Sequence, residues 1–161
     1  MNGVTVTELR MTDLTRLVWH NVAPEGAKAL FGLHHYVTHS TELPEELIHL
    51  VFLRVSQING CAHCIDLHTR DLLKTMPIEK VVLVPVWREV PHLFPDLYRA
   101  ALAWAEEVTN VSETHASDEA YAAAAAAFGP KDLVDLTITI AATNAFNRLG
   151  APFRLPVKAR P

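Results

Sequence analysis

The chain has 161 residues, half of them apolar and one-fifth charged, with a net charge of −4. This length fits a single domain spanning residues 1–161, and the negative charge, which no basic cluster offsets, argues against nucleic-acid binding. The apolar fraction favours a homo-oligomer with apolar interfaces. The N-terminus lacks a basic region followed by an apolar core, so we expect no signal peptide and a cytoplasmic, reducing location. Residues 133–146 are too short and too polar for a membrane span, which predicts a buried helix and no membrane association.

The positions of proline, glycine and charge predict an all-α protein of about six to seven helices. Residues 1–22 are expected to be irregular. Pro24 is a favourable first residue for a helix that continues to about His39. Pro44, followed by two glutamates, opens the next helix, which continues to Ile58. Because this second helix is apolar on almost every side, we expect it to be buried.

The second half of the chain continues the helical pattern. Residues 78–87 are rich in β-branched residues, but no second strand is available to pair with them, so we predict a short helix. Residues 96–109 have one apolar face and predict an amphipathic helix. Ser117 is a typical N-cap for the alanine-rich helix that follows it. Pro130 begins a last helix, which is predicted to end at about Leu149.

The only two cysteines of the chain, Cys61 and Cys64, are spaced C-x-x-C, and His68 follows four residues after the second. Asn59-Gly60 is a break signal, which predicts that a helix begins at the cysteines and continues to about residue 74. On such a helix the two cysteines and His68 share one face. A helix N-terminus favours a thiolate through its partial positive charge and its unpaired N–H groups. The pattern therefore indicates a redox-active dithiol beside a base.

The cysteine segment resembles a known family. Residues 56–64 (SQINGCAHC), with the histidine that follows, resemble the alkylhydroperoxidase D-like group of the carboxymuconolactone decarboxylase superfamily. Residues 24–26 (PEG), 85–89 (PVWRE) and 144–149 (NAFNRL) extend the resemblance to a core of about residues 16–154. The resemblance implies an AhpD-like helical fold that assembles as a dimer, trimer or hexamer. It also implies a peroxidase that reduces a hydroperoxide with its cysteine pair and is restored by a dithiol or protein thiol reductant.

The resemblance also implies roles for individual residues. Cys64 would be the attacking thiol, Cys61 the resolving thiol, and His68 part of the proton relay. The family relay includes a glutamate twelve residues before the first cysteine, where this chain has His49. Because histidine brings no standing negative charge, we expect a weaker base and a slower peroxidase than in members that keep the acid. Glu46, one turn earlier, could supply the carboxylate, although an acid at a helix start is also common for other reasons.

Other interpretations of the cysteine segment remain open. The cysteines could be buried core residues, or zinc ligands together with His68 or His63, but structural zinc usually needs a second ligand pair and no other cysteine exists. His63 either tunes the thiolate pKa or faces solvent. The resemblance predicts no cofactor and no metal. Decarboxylation of a lactone, the reaction that gives the superfamily its name, does not need a cysteine pair and is not expected.

A second class of function is a redox sensor, or a dithiol–disulfide oxidoreductase, without efficient peroxidase turnover. In a sensor, the disulfide would change an interface and not serve a catalytic cycle. Turnover distinguishes the two classes, because a sensor would be oxidised once and stay oxidised with ordinary dithiols.

Overall fold

The computed structural model describes residues 14–157, and this part of the chain contains no β-strand, so the predicted all-α class is confirmed. The nine α-helices in this range are slightly more than the predicted six to seven, because three four-residue helices add to six helices of ten or more residues. The helices are α1 (Trp19–Val22), α2 (Pro24–His39), α3 (Glu45–Asn59), α4 (Ala62–Leu72), α5 (Ile78–Val81), α6 (Asp96–Thr109), α7 (Val111–Thr114), α8 (Asp118–Ala127) and α9 (Pro130–Gly150). Two 3₁₀ segments, Val84–Glu89 and Pro91–Leu93, lie between α5 and α6.

Most helix boundaries lie where the sequence signals predict them. Pro24 and Pro130 occupy first-turn positions of α2 and α9. The hydroxyl of Ser117 accepts a hydrogen bond from the backbone N–H of Ala120 at 3.2 Å, as expected for an N-cap. Gly60 ends α3 with φ +67°, a left-handed conformation that strains any residue with a side chain.

The prediction of an irregular segment at residues 1–22 is wrong at its C-terminal end. Residues 1–13 lie outside the described part of the chain, but Trp19–Val22 forms one helical turn. Trp19 is buried there, with its ring stacked on Phe31 of α2 and tilted against Phe146 of α9. Burial of this large side chain against two aromatic rings explains why the segment is ordered.

Helix α3 is the central element of the fold. It packs against α4, α6 and α9, and the prediction that it is buried is confirmed. Arg54, a partly exposed basic side chain of α3, donates a 2.7 Å hydrogen bond to Glu106 of α6. Glu106 also accepts hydrogen bonds from the indole of Trp87 and from Arg88, so its carboxylate joins α3, α6 and the 3₁₀ segment. The side chains of α3 that are at most 1% exposed are Leu47, Leu50, Val51, Phe52, Leu53, Val55 and Ser56.

Helix α9 packs against α3 and is the buried helix predicted for residues 133–146. Leu136, Ile140 and Ala142 are among its buried residues. Among residues 14–157, no helix combines the length and the apolar character that crossing a membrane would require.

Candidate active site

The two cysteines lie at the junction of α3 and α4. The left-handed Gly60 turns the chain, and the backbone N–H of Cys61 donates to the carbonyl of Ser56 at 3.1 Å. Cys61 is the N-cap of α4, and its own carbonyl accepts from Ile65 N–H at 2.9 Å. Cys64 is therefore the third residue of the helix and lies within its first turn, where the N–H groups have no partner inside the helix.

Cys61 and Cys64 are joined as a disulfide, with Cα atoms 5.4 Å apart, inside the range that a disulfide requires. Cys61 is 0% exposed and Cys64 is 6% exposed, so Cys64 is the more exposed residue of the pair. Gly150, the last residue of α9, faces both sulfurs, because an ideal Cβ at this position would lie 2.8 Å from Cys61 Sγ and 3.3 Å from Cys64 Sγ. The sulfur pair thus occupies space that any other residue at position 150 would fill.

Buried amide side chains hold α9 against the cysteine turn. Asn59 Nδ2 donates to Asn147 Oδ1 at 2.9 Å and to Asn144 Oδ1 at 3.0 Å. Asn147 Nδ2 in turn donates to Ser56 Oγ at 3.1 Å. Because Asn147 is 1% exposed, these hydrogen bonds satisfy polar groups that would otherwise be costly to bury. The network fixes the end of α3, and with it the position of Gly60.

His68 lies one turn after Cys64 on α4 and is buried. Its ring centroid is 4.8 Å from that of Phe52 and 6.1 Å from that of His49, both on α3. Burial, and then the proximity of His49, lower the pKa of His68 from 6.5 to about 3, although Asp71 acts in the opposite direction. The imidazole is therefore neutral near pH 7 and has a free lone pair.

Asp71 completes this group of side chains, and the sequence analysis missed it. It lies one turn after His68 on α4, and its Oδ2 is 3.7 Å from His49 Nδ1. Burial would raise the pKa of Asp71, but the 2.7 Å hydrogen bond from Lys74 and the proximity of His49 bring it below its usual value. The i, i+3 spacing of His68 and Asp71 was a sequence signal for a shared face. The sequence does not show that Asp71 faces His49, because His49 lies on another helix.

Comparison with known proteins places the chain in a family. The model of the carboxymuconolactone decarboxylase family matches residues 24–107, which include α2, α3, α4 and the cysteine pair. The chain belongs to this family. The uncharacterised protein YdfG of Bacillus subtilis is 32% identical to it over 135 residues, which cover 83% of this chain and 90% of YdfG.

Solved structures agree with membership of the carboxymuconolactone decarboxylase family. A protein of unknown function from Agrobacterium tumefaciens, described as a candidate antioxidant defence protein AhpD, superposes with a TM-score of 0.86 and 36% identity. The match covers 91% of this chain and 99% of that one. The debrominase Bmp8 superposes with a TM-score of 0.73 and 21% identity over 86% of this chain and 74% of its own, which shows a shared fold. This family member is therefore AhpD-like in its fold.

Two further residues predicted for the site of this family member contact other groups. Glu46 lies beside Tyr98, and burial, followed by the charge of Glu46, raises the pKa of that phenol. The Glu46 carboxylate thus faces α6, and the carboxylate that lies beside His49 across the helix pair is that of Asp71. His63 Nδ1 donates to the carbonyl of Pro156 at 2.8 Å and so holds the C-terminal segment over the start of α4.

A pocket of about 480 Å³ opens beside the cysteine turn of this family member. Apolar atoms make up most of its wall, which suits a small organic molecule. Because Gly150 belongs to this wall and also faces both sulfurs, the pocket lies next to the disulfide. Its walls are formed by Leu14, Gly60, Ala62, His63, Gly150, Ala151, Arg154, Leu155, Pro156 and Val157.

Proposed function

We propose that this carboxymuconolactone decarboxylase family protein is a thiol-dependent peroxidase that uses Cys64, Cys61 and His68. The observation that carries the proposal is the pairing of Cys61 with Cys64 at the start of a helix, one turn from a buried neutral imidazole. A helix N-terminus stabilises the thiolate that must attack the peroxide. Cys64, the more exposed residue of the pair, is the attacking thiol in this proposal, and Cys61 resolves the intermediate.

The proposed cycle consumes one hydroperoxide and one dithiol. The Cys64 thiolate attacks the terminal oxygen, an S–O bond forms, the O–O bond breaks, and the leaving alkoxide takes a proton to become an alcohol. This step leaves Cys64 as a sulfenic acid. The Cys61 sulfur then attacks Cys64, which forms the disulfide and releases water. A dithiol or protein thiol reductant reduces the disulfide by exchange and restores both thiols.

His68, His49 and Asp71 form the proton relay in this proposal. His68 accepts the Cys64 proton and returns a proton to the leaving oxygen. Burial makes an isolated His68 a weak base, so the cation formed on it needs a nearby negative charge. Asp71 can supply that charge across His49, because its Oδ2 lies 3.7 Å from His49 Nδ1. Asp71 therefore does in this chain what the glutamate at position 49 does in the family pattern.

The Agrobacterium relative supports the same activity. It is 36% identical over nearly its whole length, and its description as a candidate antioxidant defence protein fits the removal of peroxides. The debrominase shares the fold, but at 21% identity this similarity does not indicate that the two proteins catalyse the same reaction.

Peroxide consumption tests the proposal. The full chain would be mixed with an alkyl hydroperoxide and dithiothreitol, and the rate would be measured for wild type, Cys64→Ser, Cys61→Ser and the control His92→Ala, which changes an exposed histidine. We expect Cys64→Ser to lose at least about 100-fold in rate, since it removes the nucleophile. We expect Cys61→Ser to turn over more slowly than wild type, since dithiothreitol must then condense with the Cys64 sulfenic acid in place of Cys61. If Cys64→Ser consumes peroxide as fast as wild type and His92→Ala, the proposal is wrong.

The same assay separates an enzyme from a redox sensor. A protein that is oxidised by one equivalent of peroxide and is not reduced again by dithiothreitol would favour the sensor. Continued consumption over many equivalents favours the peroxidase.

We also propose that the protein is a homo-oligomer. Large apolar side chains near the N-terminal end of the described chain are exposed, including Val22 at 65% and Phe31 at 52%. Association of identical chains would remove this apolar area from water. Sedimentation equilibrium would show a dimer, trimer or hexamer, whereas a monomer at micromolar concentration would contradict this proposal.

A further inference from the structure

His49, His68 and Asp71 are also arranged as ligands of a metal ion. Each of the three residues offers one ligand atom, and these atoms lie within 4.8 Å of one another. The three side chains come from two helices that pack together, His49 from α3 and the i, i+3 pair His68 and Asp71 from α4. The set differs from the zinc ligands considered from the sequence, which included the cysteines.

One ring nitrogen of each histidine in this group lacks a hydrogen-bond partner in the described part of the chain. His49 Nδ1 and His68 Nδ1 are buried, and neither has a hydrogen-bond partner among residues 14–157. The 3.7 Å separation of His49 Nδ1 from Asp71 Oδ2 is too long for a hydrogen bond. Leaving such buried polar atoms unpaired is costly, and a metal ion is one group that would satisfy both nitrogens.

Charged side chains lie beside two of the three ligands. Glu45 Oε1 is 3.8 Å from His49 Nε2, too far for a hydrogen bond, but its negative charge favours the tautomer with the proton on Nε2, which leaves the Nδ1 lone pair available to a metal ion. Lys74 donates to Asp71 Oδ1 at 2.7 Å, which leaves Oδ2 directed at His49. Metal-binding histidines and carboxylates in proteins usually have outer partners of this kind.

We propose that His49, His68 and Asp71 bind a divalent transition-metal cation that accepts nitrogen and oxygen ligands, of which Zn²⁺ is the best match. Two histidines and one carboxylate form a common zinc ligand set that leaves a fourth position open. Two ligand atoms on a tetrahedral zinc lie about 3.3 Å apart, and His49 Nδ1 and Asp71 Oδ2 are already 3.7 Å apart. The three ligand atoms lie within 4.8 Å of one another, so side-chain rotation would have to bring the others to the same spacing. A bound ion would occupy the side chains that form the proposed proton relay, so the zinc-bound protein should reduce peroxide slowly; the existence of the site does not depend on that activity.

Zinc binding by the disulfide form tests the site without interference from thiolates. The full chain would be oxidised to the disulfide, checked for the absence of free thiols, and titrated with Zn²⁺ against a chromophoric chelator. We expect one equivalent to bind, both in this form and in the reduced Cys61→Ser/Cys64→Ser variant. Loss of an outer partner of a metal ligand costs 10- to 100-fold in affinity, so loss of a ligand in His49→Gln or Asp71→Asn should cost at least about 100-fold.

A surface histidine pair provides the matched control. His35 and His39 lie one turn apart on α2, with ring centroids 4.3 Å apart, and could bind zinc adventitiously. The His35→Gln/His39→Gln variant should bind zinc as wild type does. The proposal is overturned if the disulfide form binds no zinc, if His49→Gln binds it unchanged, or if the control loses it.

A second measurement needs no variant. Co²⁺ added to the disulfide form should broaden the ring proton signals of His49 and His68 in NMR spectra, while those of His35 and His39 stay sharp. The reverse pattern would overturn the proposal even if a variant fails to fold. The disulfide and double-serine forms do not turn over peroxide, so zinc binding and peroxide consumption are measured on different forms of the protein. A disulfide form that binds no zinc would contradict only the metal site, and a reduced wild type that consumes no peroxide would contradict only the peroxidase.

Discussion

The backbone of Gly150 lies directly against the sulfur of Cys61. A Cβ at position 150 would be 2.8 Å from that sulfur, closer than side-chain carbons approach other heavy atoms, and 3.3 Å from the sulfur of Cys64. Both sulfurs are held by the first turn of α4 and by their mutual bond, so they cannot move away independently. The end of α9 is therefore part of the disulfide site.

We expect Gly150→Ala to destabilise the disulfide form by about 1–3 kcal/mol, the usual cost of inserting a methyl group into a packed site. Reduction frees the cysteine rotamers, so the reduced protein should lose less. Urea unfolding of both forms measures the difference. The control is Gly32→Ala, a helix position with open space around it, where alanine should stabilise by about 0.5–1 kcal/mol. Equal effects of the two substitutions on the disulfide form would contradict the packing argument.

The buried His68 should make stability fall in acid. Its pKa is about 3 in the folded protein and 6.5 when exposed, so the unfolded chain binds the extra proton between these values. The stabilisation is complete above pH 6.5 and is lost as pH falls towards 3. Between pH 7.5 and pH 5 this single group should cost about 2 kcal/mol.

The variant His68→Gln isolates that contribution, because glutamine does not titrate. The free energy of unfolding, measured in urea at pH 7.5 and pH 5, should fall by about 2 kcal/mol less in the variant than in wild type. Exposed His92→Ala serves as the control and should follow wild type. A variant as acid-sensitive as wild type would show that His68 is protonated more easily than its burial implies.

Removal of the Asn147 amide should loosen the cysteine turn. Asn147→Ala leaves Asn59 and Ser56 without their buried partner, which typically costs about 1–3 kcal/mol. Because these residues position Gly60, the variant should also re-form the Cys61–Cys64 disulfide more slowly after reduction. Unfolding in urea and thiol titration over time measure the two effects. Asn21→Ala, at an exposed position, should change neither.

The features of the fold and of the site that could be predicted from the sequence depend on short-range signals. Pro24, Ser117 and Pro130 act within one helical turn, so the helix starts that they predict are found in the structure. The pairing of Cys61 with Cys64 is also local, because both lie in one turn of chain. A motif with this spacing can be recognised without knowledge of the packing.

The rest of the site depends on contacts between distant segments. Gly150 reaches the sulfurs from the far end of α9, and nothing near it in the sequence marks that contact. Asp71 of α4 lies where α3 packs, and this packing brings His49 to it. Glu46 shares a helix with His49 yet lies beside Tyr98 of α6. Such relationships follow from how helices cross, which the periodicity of a single helix does not specify.

The assignment of Asp71 to the proton relay predicts different effects for two acids. Asp71→Asn removes the negative charge beside His49 and should slow peroxide reduction about 10-fold or more, within the range for general acid–base groups. Glu46→Gln removes a charge of the same sign that faces Tyr98 and should leave the rate near that of wild type. The hydroperoxide assay with dithiothreitol compares them. If Glu46→Gln loses more rate than Asp71→Asn, the relay uses Glu46, the carboxylate that the sequence analysis suggested.

Restoring the family acid in His49→Glu tests why this chain should be a slower peroxidase. A carboxylate at position 49 would lie beside the buried ring of His68, remove a group that lowers its pKa, and add one that raises it. We expect a stronger base for Cys64 and peroxide reduction about 10-fold faster near pH 7. Repulsion between the new carboxylate and Asp71 would oppose this gain, so the double variant His49→Glu/Asp71→Asn is the matched comparison. The pH dependence of Cys64 alkylation should shift to lower pH in both variants, and a shift to higher pH would contradict the role of His68 as the base.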